Sequence, residues 1–189
     1  MPTPTPPPVP NADFTGIRAK LYADIVAAVK AITAGDPAKQ VFQFFDIWNQ
    51  QLEYIEKDPP FKRPALFIEF TPIAWQPLSR GLRQADAVIR LHIVTDTKKR
   101  TADGSAYQAD ALSYLGYSDD VLKVMRAFGK NYAGTPENTL SETDHNHSDM
   151  IDMIEEYTMR VEDATAVRIP ATVINVQPVI NPPPEEPEV

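Results

Sequence analysis

Phe61-Lys-Arg-Pro-Ala-Leu-Phe-Ile-Glu-Phe70, followed by Ala85-Asp-Ala-Val-Ile-Arg-Leu-His-Ile-Val94, decides the fold. Each stretch is a short run of β-branched, aromatic and aliphatic residues that fits a pleated surface, and the two read as neighbouring strands. In the second, Ala87, Ile89, Leu91 and Ile93 alternate with Val88, Arg90, His92 and Val94. The first set is wholly apolar and is expected to face the core. Pro64 stands just before Ala65, where a residue without an N–H costs no ladder bond. Between the strands lies Thr71 to Gln84, too long for a tight hairpin, with Pro72, Trp75, Pro77, Arg80, Gly81 and Arg83. A basic, aromatic segment held by two strands suits a loop that meets a partner. Trp and Arg are enriched at interface hot spots, so Trp75, Arg80 and Arg83 are the interface candidates. A Trp75 folded back over the core is the competing expectation.

Upstream, Phe14, Ile17, Leu21, Ile25, Ala28, Val29 and Ile32 recur at three- and four-residue spacings, which predicts a helix over about Asp13–Thr33 with one apolar stripe. Asp13 is the expected N-cap, Gly35-Asp-Pro37 the stop, and Arg18, Lys20, Asp24 and Lys30 the wet face. Val41 to Trp48 has aromatic residues at both parities and reads as an extended segment covered on both sides. Asn49 to Asp58 fits either a helix or a strand, ended by Pro59-Pro60.

Downstream, Thr95 to Gln108 is polar and reads as a loop. A helical region over Ala109–Phe128 follows, with Ser118-Asp-Asp as an internal cap and Gly129 as its stop; whether Gly116 divides it stays open. Thr139–Thr143 and Ile151–Val161 are expected strands. In the second, Ile151, Met153, Tyr157, Met159 and Val161 share one side, with Ile154 and Glu155 interrupting the alternation; a helix from Asp149 is the rival. Thr172–Val176 suits a last strand. Helix, strands, helix and strands without βαβ repetition predict an α+β domain, a mainly antiparallel sheet with two helices packed on it.

The 189 residues, 43% of them hydrophobic, suit one such domain over about residues 13–177. Six prolines crowd residues 2–12 and five crowd 178–189, so both ends should be extended. They read as a Pro-rich N-terminal arm (1–12) and a Pro/Glu-rich tail (178–189), either free or laid across a neighbouring subunit. Without a cysteine, disulfides, zinc–thiolate sites and thiol nucleophiles are excluded. The net charge of −8 argues against a nucleic-acid binder; Glu185, Glu186 and Glu188 contribute −3 of it, leaving −5. No apolar run reaches the ~18 residues of a membrane span, and Met1–Pro10 lacks the pattern of a signal peptide.

Chemistry is sparse. Asp144-His-Asn-His-Ser-Asp149 is the one stretch with metal-ligand character, so His145, His147 and Asp149 are weak metal candidates against the alternative of a polar turn. Glu69, in an apolar strand, is expected to pair with Arg63 or Arg90 across the sheet; His92 is expected to be a packed or surface histidine rather than a base. Gly-rich phosphate loops, a Ser elbow and HExxH are missing, so neither catalytic residues nor a cofactor is expected.

The opening helix Phe14–Ile32, Arg63-Pro-Ala-Leu-Phe-Ile-Glu-Phe70, Ile89-Arg-Leu-His-Ile-Val94 and the helix ending near Phe128 together resemble phage tail-terminator (tail-completion, neck) proteins over roughly residues 13–165. With Trp48-Asn-Gln-Gln-Leu52 they are also similar to uncharacterised prophage proteins. The resemblance implies a non-enzymatic virion protein, assembled in the host cytoplasm as a homo-oligomeric ring, commonly hexameric. Such a ring caps the tail tube, docks it to the head–tail connector or neck, and passes DNA through its lumen without specific binding. The alternative class is a soluble bacterial binding module or a metal-dependent enzyme using His145 and His147.

Overall fold

The chain forms its longest strands, of 15 and 14 residues, where polar and apolar residues largely alternate. The computed structural model describes residues 16–35, 37–52, 61–79, 81–96, 102–128, 132–144 and 150–167. The helix α1 (Ile17–Lys30) is followed by a small antiparallel pair, β1 (Thr33–Ala34) and β2 (Lys39–Gln40). Then come β3 (Phe44–Ile47), β4 (Ala65–Phe70), β5 (Gln76–Ser79) and β6 (Leu82–Asp96). Two helices, α2 (Gln108–Leu112) and α3 (Leu115–Phe128), precede β7 (Glu137–Asp144) and β8 (Met150–Asp163). The main sheet runs β3-β4-β6-β8-β7, with β5 alongside the start of β6. Every pairing in it is antiparallel except β3 with β4, which is parallel. This is the expected α+β fold, mainly antiparallel and carrying helices.

The two opening strands are neighbours, in register from Ala65↔Val94 to Phe70↔Ile89. Ala87, Ile89, Leu91 and Ile93 are fully buried on the face that α1 and α3 cover. From α1, Leu21, Ile25, Val26 and Val29 reach that core; from α3, Val121, Met125 and Phe128; from β8, Met153, Tyr157, Met159 and Val161. Each fully buried aliphatic side chain here is worth ~1.5–3 kcal/mol, which makes this layer the main source of stability. On the other face Phe67, Ala65, Val94, Met150 and Leu52 form a smaller cluster under Phe44, Trp48 and Phe61. Phe44 and Phe45, successive in β3, serve opposite faces, as the aromatic density of that stretch requires.

Several expectations need correction. Gly16, not Asp13, precedes the first described helical turn; Asp13 lies outside the described residues. Thr71–Gln84 is not all loop: β5 folds back on β6 through Gly81 at φ +87. The second helical region is divided at Ser113–Tyr114, and Gly116 lies inside α3. Ser118 is inside α3 too and caps nothing, because its hydroxyl serves Glu155. In β8 the strand runs on through Ile154 and Glu155, with Glu155 buried on the core side among Met153, Tyr157, Met159 and Val161. The arms at 1–12 and 178–189 and the expected strand Thr172–Val176 lie outside the described residues. Among the described residues no helix is long and apolar enough to cross a membrane.

Candidate functional site

Three strands bring ionisable residues together on the sheet face opposite α1 and α3. Glu69 in β4 stands opposite Arg90 in β6, which stands opposite Glu156 in β8. Arg90 Nε donates to Glu156 Oε2 at 2.9 Å, and its guanidinium lies 3.8 Å from Glu69 Oε2. The hydrogen bond to Glu156, reinforced by the charge of Glu69 and Glu142, raises the Arg90 pKa. One pleat further along, His92 is placed diagonally between two carboxylates. Its Nδ1 is 2.8 Å from Asp152 Oδ2 and its Nε2 is 3.3 Å from Glu69 Oε2. The indole of Trp48 covers the imidazole, 3.9 Å between centroids and 4° from parallel. His92 and Asp152 side chains are only 5% and 3% exposed, and Asp152 Oδ1 has no hydrogen-bond partner among the described residues.

His92 is thus engaged at both nitrogens and stacked on one ring face, which fixes its orientation. The arrangement clasps β4, β6 and β8 and seats the aromatic cluster on them. The expected Glu69–Arg90 pair is present; Arg63 turns instead to Asp96 at 2.8 Å. Trp48 and Asp152 were not legible as partners of His92. One is 44 residues and the other 60 residues away along the chain.

A second buried carboxylate lies on the helix-covered face. Glu155 accepts hydrogen bonds from Ser118 of α3, Ser141 of β7 and, at 2.9 Å, Asn138 of β7. Three donors from two elements compensate its desolvation and tie α3 to the β7–β8 pair. Beside it, burial raises the pKa of Tyr157 and the charge of Glu155 adds to the effect.

Two of the interface candidates, Trp75 and Arg83, sit at the far end of the sheet, by the β5–β6 turn. Trp75 is half-buried against the main core, and the Arg83 guanidinium lies over its ring at 4.3 Å. Arg83 also donates to Asp163 Oδ2, at 2.8 Å from Nε. The Thr165 hydroxyl, its amide and Arg83 together lower the Asp163 pKa. Trp75 thus folds back over the core, with Arg83 on its outer side. Arg80 lies outside the described residues, as do His145, His147 and Asp149. Among the described residues no three His, Cys, Asp or Glu side chains are grouped to hold a metal ion.

The sheet is open along its β7 edge among the described residues. β7 pairs with β8 on one side, and nothing among the described residues pairs with the other. Seven of its eight positions are exposed, including Leu140 at 39%. The strand contains no proline or lysine, two residues that commonly protect an edge; only the register shift between Asn138 and Leu140 interrupts it. No family model matches the chain, and no curated protein matches it.

Proposed function

We propose that the protein is a non-enzymatic structural subunit of a virion, a ring-forming tail terminator or head–tail joining component that caps the tail tube and docks it to the connector. The observation that carries the self-assembling part is the β7 edge, a row of backbone donors and acceptors that nothing among the described residues pairs. The opposite side of the sheet ends differently, in β3 and the β5–β6 turn with Trp75 and Arg83. Two unlike edges favour a head-to-tail contact, and head-to-tail contacts form a ring where the rotation between subunits closes. The tail role rests on the resemblance in element order. The acidic balance of −8 agrees with it, since a negative lumen lets DNA pass without sticking.

Size-exclusion chromatography with light scattering over a wide concentration range, followed by electron microscopy of the protein with isolated tail tubes, tests the reading. A discrete oligomer seated at tube ends is the expected result. A strict monomer at high concentration that leaves tube ends bare overturns it. So does a metal that survives purification and is lost in the His145→Ala/His147→Ala variant.

A further inference from the structure

Exposed charges that stay unpaired mark the two margins of the main sheet. β7 carries Glu137, Glu142 and Asp144 and no cation. Exposed acids elsewhere, such as Asp86 and Asp120, have a basic partner in the chain, whereas Glu137 and Glu142 form no salt bridge among the described residues. Register places Leu140 and Glu142 opposite Glu156 and Ile154 of β8, so both side chains leave the edge on the face away from the helices. The β7 margin is therefore acidic, with the exposed Leu140 at its middle.

The margin at the other end of the strand order, β3, has the opposite character. Lys30, the last residue of α1, extends its ammonium over the Phe45 ring of β3 at 5.4 Å, and Lys39 is exposed in β2, which leads into β3. Neither lysine has a carboxylate within salt-bridge distance among the described residues. Asp46, the one acid of β3, turns back to the Ile47 N–H at 2.8 Å, and Ile47 itself is 51% exposed. Each margin thus offers an exposed aliphatic side chain beside unpaired charge, acidic at β7 and basic at β3. Two β7 margins set together would face carboxylate with carboxylate, and like charges placed opposite one another destabilise a contact. One margin of each kind satisfies both.

We infer that the β7 margin of one subunit docks on the β3 margin of the next, Glu137 and Glu142 facing Lys30 and Lys39, an inference that rests on the self-assembly proposed above. The carboxylates leave β7 on the face away from the helices and Lys30 stands on the helix side of β3, so neighbouring sheets overlap at their margins. Charge reversal tests the pairing. Glu137→Lys/Glu142→Lys protein and Lys30→Glu/Lys39→Glu protein are studied separately and as an equal mixture by light scattering and sedimentation. All four positions are exposed, so the fold tolerates the changes.

Each variant alone is expected to associate about tenfold more weakly than the wild type at low salt, because every facing pair becomes like-charged. The mixture is expected to regain the wild-type size in oligomers that contain both chains, since a reversed β7 margin then meets a reversed β3 margin. A wild-type oligomer that either reversal leaves intact overturns this inference and leaves the ring standing; so do weakened variants that mixing fails to rescue. Loss of assembly on reversing the acids alone, with the lysine reversal silent, assigns the β7 margin to a different occupant and likewise overturns it. A wild type that is monomeric under all conditions overturns both.

Discussion

Gly81 holds the β5–β6 turn at a φ that L side chains rarely adopt, against the backbone of Ala166. Gly81→Ala meets both obstacles and is expected to cost about 2–4 kcal/mol, read as a lower urea midpoint. Removing one member of a buried polar group leaves the others unpaired. Glu155→Ala is thus expected to cost about 2–4 kcal/mol, more than Ser118→Ala or Ser141→Ala alone. At the sheet end, Asp163 has a lowered pKa chiefly because Thr165 donates to it, with Arg83 adding to the effect. A depressed carboxylate stabilises the fold above its unfolded pKa of ~3.9 and loses that contribution as pH falls through the folded value. The urea midpoint of the wild type should therefore exceed that of Asp163→Asn at pH 7 and pH 5, with the gap closing below about pH 4. A gap that is constant down to pH 2 would refute the assignment. In a Trp75→Phe background, His92→Ala should change Trp48 emission by removing the ring stacked on it.

At the level of elements, periodicity made most of the fold legible. The stripe Leu21, Ile25 and Val29 and the set Ala87, Ile89, Leu91 and Ile93 are fully buried, as their spacing requires. β8 was legible as a strand, but Glu155 appeared to break its pattern because a carboxylate on the core side looks like an error until its donors are known. Those donors come from α3 and β7, and no local signal links Ser118 to a glutamate 37 residues on. The clasp at His92 was hidden for the same reason, since it depends on which strands become neighbours. In sequence β5 looks like loop, because Pro72 and Pro77 mask a four-residue strand that pairs back on the start of β6. The parallel entry of β3 has no sequence signal comparable to a hairpin turn. At the β7 edge, Leu140→Lys is expected to weaken self-association while leaving the urea midpoint of the monomer within about 0.5 kcal/mol, because surface changes away from special features cost little.

For the molecule as a whole, the centre of the sheet is a pairing between strands distant in the chain. β6 and β8 run in register from Arg83↔Asp163 to Asp96↔Met150 without a shift. Residues 102–144, which include α2, α3 and β7, therefore lie between the two strands that form the middle of the fold. Neither α1 to β6 nor α2 to β8 holds a complete core: α1 and β4 lie in the first half, α3 and β8 in the second. The molecule resembles two clasped hands, with the fingers of each closed only by the other. A protease site placed within residues 97–101 should yield two fragments that co-elute in buffer, separate in denaturant and reassemble from separately expressed pieces. The unbroken seam thus makes the protein a natural candidate for splitting, and joining its halves would report that the whole has folded.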